Sequence, residues 1–383
     1  GLRTGGLPAL MSAAENGARV LGIEQMSKIA EPREDIGAVN SRYQLESFSE
    51  FPQFEIDKME IMEDIVRYAN GFVNYDLIKL WVDESGDMIN WLSDIIERDG
   101  KFKMWFEGSV GTKGQGARDK AWATGHSPQK LVDDKEITFG STMRDYAIEN
   151  GAEIRYDTML VKCEQDESGR VTGVICRDGN DLHYIRVNAS KGVILATGGY
   201  VANTEMVEAR QAWNNRLKIN IPVGGSCTGD GIKAAMWCGA TIDPLGCAVT
   251  FNRACCKPDE VAGSDLVGKW FWFGEQPFLK VNLQGKRFCN ESGPYDYMLH
   301  SAFMQPYHTY VDIWDSDYVA QVKQINEVGC CRLYPFDNGA PSNMNISAMQ
   351  SKFDQLEEAG YIQKADTMEK LAAKLNLPVE ATV

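Results

Sequence analysis

Apolar residues recur at Leu7, Leu10, Met11 and Ala14, the spacing of one helix face, and Pro8 falls in the first turn, where a missing N–H costs nothing. Gly17 stops that helix, and residues 19–24 (RVLGIE) read as a short buried strand ending on an acid, Glu24. Residues 31–130 are polar and aromatic, with helical spacing at 59–68 and 87–99, and the glycine-rich 108–118 reads as a flexible surface loop. Another helix is predicted over 142–149, stopping at Asn150 and Gly151. Three alternating segments follow, EIRYDTMLVKCEQD, GRVTGVICRD and HYIRVNA, which predict antiparallel strands with turns at 167–169 and 178–180. The run GVILATGGY (192–200) then places four apolar residues before a Thr and two glycines, the pattern of a strand buried on both faces. A second glycine turn opens a short helix within 224–240. Beyond Asp243 the chain turns to cysteines, aromatics and irregular loops, which puts a domain boundary there, and 364–383 reads as a helical segment without a closing strand.

The glycines at the end of 192–200 let another molecule approach the backbone closely. In open α/β sheets the carboxyl edge of such strands is where nucleotide cofactors sit. An ordinary strand-to-helix turn has the same pattern, so the run needs its neighbours to decide.

Composition works by exclusion. An apolar share of 44% with 24% charged residues describes a soluble globular chain, and 383 residues suffice for two or three domains. No apolar run approaches the roughly 20 residues of a membrane span. A net charge of −15 without any basic block repels a phosphate backbone, so nucleic acid is excluded as a partner. The ten cysteines form no CxxC, which removes the usual zinc, thioredoxin and covalent-haem signatures. The vicinal pairs Cys255–Cys256 and Cys330–Cys331 read as structural thiols. The chain opens on Gly1 without an initiator Met and reads as a fragment or processed product, so the compartment is unknown and a removed export signal is compatible with it.

A dinucleotide site needs a glycine turn, a helix N-terminus facing the pyrophosphate, and an acid for the ribose hydroxyls. GLRTGGLPAL supplies the turn and helix, and Glu24 follows Gly6 at nearly the expected spacing. Arg3 stands where the middle glycine of GxGxxG belongs.

In this order of elements the chain resembles the flavoprotein family of fumarate reductases, succinate dehydrogenase flavoprotein subunits and 3-ketosteroid dehydrogenases. GLPALMSAAENGARVLGIEQ, GRVTGVICRD, GVILATGGY, TGDGIKAAMWCGA and NLQGKRFCNE carry the resemblance. It implies an α/β fold: a Rossmann-like FAD-binding domain (1–242) with an inserted α+β capping domain (243–383), truncated at both ends, the first strand and the C-terminal closing segment being absent. It implies FAD, with Glu24 on the adenosine ribose, Gly5 and Gly6 at the pyrophosphate, and the backbone near Val161 at the adenine. Ala196, Thr197, Gly198, Gly199, Gly229 and Asp230 would lie along the cofactor. His126 matches a family position and is either structural or a flavin contact.

Family members move a hydride between flavin and a carbon–carbon bond while a side chain handles the proton. The parts that grip fumarate are missing: Tyr295 stands where the catalytic Arg is expected, no Glu-x-x-Arg relay precedes Asn282, and no His falls between Leu245 and Asn252. NESGPY resembles the ketosteroid form, in which a Tyr carries the proton. Trp270, Phe271, Trp272 and Phe273, with Tyr297 nearby, favour a flat apolar substrate, although the same residues would serve as domain core. His300 and His308 are weaker candidates, and Arg287 and Glu291 read as structural. The expectation is a reductase of an activated C=C bond in a small molecule other than fumarate. Its electrons would come from an external donor: a cytochrome, a quinol-linked protein or a reduced flavin carrier. Two alternatives stand beside it, a cofactor-binding or inactive fragment without turnover and an NAD-dependent enzyme using the same ribose acid.

Overall fold

The computed structural model describes every residue except 109–121, 180, 212–225, 244–245, 247–251, 259, 261–268, 294, 325–332 and 343–344; of Tyr295 and Asp296 it describes the backbone alone. The predicted loop at 108–118 thus lies outside the described residues apart from Gly108, as does the pair Cys330–Cys331.

The first unit keeps the predicted order. Helix α1 (Gly6–Glu15) buries Leu7, Leu10, Met11 and Ala14 and ends at Gly17, whose φ of 75° suits a residue without Cβ. Strand β1 (Leu21–Ile23) leads to Glu24. The chain continues through β2 (Ile36–Gly37), α2 (Arg42–Ser47), α3 (Lys58–Tyr68), α4 (Tyr75–Ile96), β3 (Phe102–Glu107) and β4 (Gly125–Lys130). It then enters α5 (Phe139–Glu149) and β5 (Glu153–Arg155), and β5 lies parallel to β1 with Leu21 opposite Glu153. Helices α1, α4 and α5 share one core through Leu7, Met11, Ile89, Ile96, Met143 and Ala147.

Strands β6 (Thr158–Gln165), β7 (Val171–Asp178) and β8 (Tyr184–Asn188) form the predicted antiparallel sheet. The first predicted segment, however, is two strands. Asp157 takes a left-handed φ of 48° and turns the chain, so 153–155 pairs with β1 while 158–165 pairs with β7.

Residues 192–200 overturn the expectation of a buried strand. No described strand pairs with them, and Ile194 is 70% exposed. An apolar run is buried on both faces only where neighbouring strands and helices cover it, and β5 is the single strand beside β1 among the described residues. The segment leads instead to α6 (Thr204–Arg210), and α7 (Asp230–Trp237) packs on β6.

Farther on, β9 (Ala254–Cys255) pairs with β10 (Lys269–Trp270). Strand β11 (Leu279–Asn282) pairs with β12 (Tyr310–Ile313), with α8 (Tyr295–Phe303) between them in sequence. Helices α9 (Tyr318–Gln324), α10 (Ile346–Glu358) and α11 (Met368–Lys374) follow, and the side chain of Thr367 caps α11. A second core of Phe271, Phe273, Phe278, Tyr318, Met349 and Phe353 shares no buried residue with the first. The described cysteines are free thiols. Among the described residues no helix is long and apolar enough to cross a membrane.

Candidate functional site

Separate stretches of sequence meet at the N-terminal end of α1. A Cβ on Gly6 would overlap the carbonyl oxygen of Gly1, and one on Gly1 would lie 2.9 Å from the carbonyl oxygen of Ala196. Gly5 begins the helix with no side-chain cap, and no acid occupies the first turn, so the positive helix end is open to an anion. Glu24, 5% exposed, accepts the Leu2 N–H on Oε2 at 2.6 Å and the Met26 N–H on Oε1 at 3.0 Å. Gln25 donates to the Ser226 carbonyl at 2.7 Å, which draws in the second glycine turn.

There Gly231 faces Thr197 so closely that a Cβ would collide with its hydroxyl, and a Cβ on Gly198 would lie 2.9 Å from Cys227 Sγ. Gly229, φ 77°, precedes Asp230, whose carboxylate accepts the Thr228 hydroxyl at 2.5 Å and pairs with Lys233 at 2.9 Å. Burial pushes the Asp230 carboxyl up, but these two donors outweigh it and hold it below the usual range. Strand β6 starts beside the same acid, with Thr158 N–H donating to the Glu24 carbonyl at 2.9 Å. Its register with β7 skips Val161, a bulge that leaves this residue out of the ladder.

His126 is placed differently. It lies fully buried on β4, with Nε2 2.7 Å from Ser41 Oγ and Nδ1 2.9 Å from the Thr124 carbonyl. Burial pushes its pKa down to about 4. With both ring nitrogens engaged inside the protein, it anchors Ser41, the cap of α2, rather than presenting an open contact.

A cavity of about 1490 Å³ runs from Gly199 and Tyr200 into the part beyond Asp243. The aromatic run divides on its wall. Trp270 and Phe271 line it, whereas Phe273, 1% exposed, is core, and Trp272 packs against that core beneath the Arg253 guanidinium. Arg253 in turn makes a buried ion pair with Glu275. Tyr297 stacks on Tyr68 with ring centroids 5.9 Å apart and is not on this wall. Tyr295 opens α8, and its side chain lies outside the described residues. His308 lines the cavity, stacked on Phe303, whereas His300 is exposed. Arg287 holds Glu291 through Nε at 2.8 Å and Nη2 at 2.5 Å, the structural role expected of that pair.

Sequence reasoning missed Tyr310 and Asp312, which also line the cavity. Lys280 Nζ lies 3.1 Å from Asp312. Burial pushes the Asp312 carboxyl up to about 6, with the Lys280 charge pulling the other way. The signal was present as two short alternations, Lys280-Val-Asn282 and Tyr310-Val-Asp312, with a polar residue at every second position.

The sequence profile of the FAD binding domain family matches residues 4–307. The chain belongs to this family. Its cofactor is FAD, and the expected flavoprotein fold stands. Over 99% of its length the chain is 24% identical to the vinyl phenol reductase of Lactiplantibacillus plantarum, of which it covers 73%. It aligns with the 3-ketosteroid-delta4-(5alpha)-dehydrogenase of Rhodococcus jostii at a TM-score of 0.63, with 17% identity, covering 100% of this chain and 74% of the other. A flavocytochrome c3 fumarate reductase in its open conformation aligns at 0.62, with 19% identity over 99% of this chain and 58% of that one. The stretches matched in several other curated relatives cover 26% or less of those proteins.

The residues present fit FAD. The glycine turn leaves no room for side chains between α1 and Ala196, the open helix end suits a pyrophosphate, and a buried carboxylate waits at the end of β1. Arg3 does not obstruct this arrangement, because its Nε donates to the Glu31 carbonyl at 2.9 Å.

Proposed function

We propose that the chain is part of an FAD-dependent reductase that delivers a hydride to an activated carbon–carbon double bond, using electrons from an external donor such as a cytochrome, a quinol-linked protein or a reduced flavin carrier. The observation that carries this reading is the meeting of Gly1–Gly6, Glu24, Ala196–Thr197 and Gly229–Gly231 in one corner. Bound FAD supplies the hydride chemistry. Glu24 accepts the ribose hydroxyls with the lone pairs that Leu2 and Met26 leave free. The end of α1 holds the pyrophosphate, the Val161 bulge offers backbone groups to the adenine, and residues 196–199 and 229–230 follow the cofactor.

In this reading residues 1–242 bind the cofactor and 243–383 cap it, a division supported by their separate cores. Tyr295 carries the proton. An unperturbed phenol has a pKa of about 10, so it donates to a developing carbanion without first losing its proton to water. The missing carboxylate grips and the aromatic wall of Trp270, Phe271, Phe278 and Trp314 favour a flat, largely apolar alkene. The likeness to a vinyl phenol reductase points the same way.

Purified full-length protein should be yellow, and its reduced form should be reoxidised anaerobically by aryl alkenes or enones faster than by fumarate. A protein that stays colourless with added FAD would sink this reading. Tyr295→Phe should lower turnover by about 10²-fold or more while flavin stays bound; unchanged turnover removes Tyr295 from the mechanism.

A further inference from the structure

Arg3 occupies the place at which a dinucleotide turn carries its middle glycine, the residue that lets the backbone approach the pyrophosphate. Glycine is retained on both sides of it, where a Cβ on Gly1 or Gly6 would strike a backbone carbonyl. Leu2 is buried with its N–H on Glu24, whereas Thr4 and Gly5 are exposed at the mouth of α1. Arg3 joins the helix through its carbonyl, which accepts the Leu7 N–H at 3.0 Å. Its side chain is held at one point, where Nε donates to the Glu31 carbonyl at 2.9 Å. Among the described residues no carboxylate pairs with this guanidinium, and its two terminal nitrogens have no acceptor. A guanidinium carries five N–H donors in a rigid fork, so four stay available.

The neighbouring segment shows what that charge faces. Residues 31–35 (EPRED) hold three acids and one other base. Glu31 commits its carboxylate to the start of α5, accepting the Thr138 hydroxyl at 2.7 Å and the Gly140 N–H at 2.9 Å. The Arg33 N–H donates to Thr4 Oγ1 at 3.0 Å and fastens the segment to the glycine turn. Its guanidinium, however, pairs with Asp35 at 3.1 Å. A pyrophosphate diester brings two negative charges to this rim, and a helix end offers only about half a positive charge. Arg3 adds a whole one, and none of the described acids has taken it.

We propose that Arg3 is a pyrophosphate-binding residue, whose terminal guanidinium nitrogens donate to the cofactor's phosphate oxygens in place of the close backbone approach that a glycine would allow. The Glu31 carbonyl is its tether, fixing the fork while leaving both terminal nitrogens for the phosphates. The proposal rests on the cofactor placement given above and not on the chemistry at the carbon–carbon double bond.

Apoprotein of the full-length chain can be titrated with FAD, followed by quenching of flavin fluorescence. Calorimetry with ADP-ribose, which carries the same pyrophosphate diester, supplies a second reading without flavin. Arg3→Met should weaken both ligands at least tenfold, and Arg3→Lys should weaken them less. Arg3→Gly, which restores the glycine of the motif, should bind no better than Arg3→Met. Salt separates a phosphate contact from a mere buttress for residues 31–33. Added potassium chloride should weaken FAD binding more steeply in the natural chain than in Arg3→Met, with thermal melting confirming that each variant folds. Unchanged affinity in Arg3→Met, equal salt slopes, or an Arg3→Gly variant that holds FAD as tightly as the natural chain overturns the proposal. A natural chain that binds neither FAD nor ADP-ribose rejects the cofactor placement and the proposal with it. An Arg3-dependent FAD affinity in a protein whose reduced flavin no alkene reoxidises supports the contact while rejecting the reductase reading.

Discussion

The corner around Glu24 and the hairpin of β11 and β12 both bury charged side chains, but they satisfy them by different means. At the corner the donors are backbone N–H groups of Leu2 and Met26, and the remaining requirement is room, met by glycine. In the hairpin both partners are side chains, Lys280 and Asp312, brought together from positions 32 residues apart. Backbone donors exist in every sequence, so the corner needs one acid and a few glycines at fixed spacing. The hairpin needs two matched residues, and neither is tolerable alone. A site built on backbone is therefore robust and legible, whereas one built on paired side chains is specific and fragile.

Fragility in the hairpin is the largest effect expected. Lys280→Met leaves Asp312 buried without its counter-charge and should destabilise the protein by about 3–5 kcal/mol in chemical denaturation. Adding Asp312→Leu should restore most of that loss, because two apolar groups of similar size replace a buried pair at little cost. If the single variant loses less than about 1 kcal/mol, the pair is hydrated like a surface ion pair and the contrast with the corner disappears.

The same difference explains what could be read from the chain. Helix α1, β1 and Glu24 were legible because helical spacing, a stop at Gly17 and an acid at fixed distance are all local signals. The β6–β7–β8 sheet was legible through alternation and its turns. Residues 192–200 were misread because burial on two faces depends on distant strands, which no local pattern reports. The boundary at Asp157 was missed because a left-handed Asp looks like any other Asp in sequence. For Trp270 to Phe273, composition gave the aromatic character but not that Trp270 and Phe271 reach the cavity while Phe273 is enclosed. Asp312 was overlooked because its meaning lies wholly in Lys280 and in the cavity beside it.

Acid titration adds a second contrast, since two buried groups, His126 on β4 and Asp312 on β12, respond with opposite sign. His126 has its pKa lowered from 6.5 to about 4 by burial, so the unfolded chain takes up a proton first as the pH falls. The stability it confers is complete above about pH 6.5 and is lost toward pH 4, on the order of 3 kcal/mol. Asp312 is raised from 3.8 to about 6 by burial, so its contribution is complete below pH 3.8 and is lost as the pH rises through 6. Denaturant midpoints across pH 4–7 should show His126→Gln flattening the loss on the acid side. The paired variant Lys280→Met/Asp312→Leu should change the slope in the other direction, and equal slopes in both would deny that either group titrates from a buried position.

The smallest effect concerns the corner itself. Glu24→Gln keeps one oxygen acceptor, loses the charge, and turns an amide N–H₂ toward either the Leu2 or the Met26 N–H, two donors facing each other. FAD affinity should fall about tenfold, or ~1.4 kcal/mol, as read by quenching of flavin fluorescence, while the apo protein loses roughly 1 kcal/mol of stability. The ratio of the two losses carries the information. A larger loss in affinity than in stability marks Glu24 as a ligand that also ties down the glycine turn. Unchanged affinity with full loss of stability would make it a buttress for Leu2 alone, and the corner would then resemble the hairpin, an acid kept for the fold and not for the cofactor.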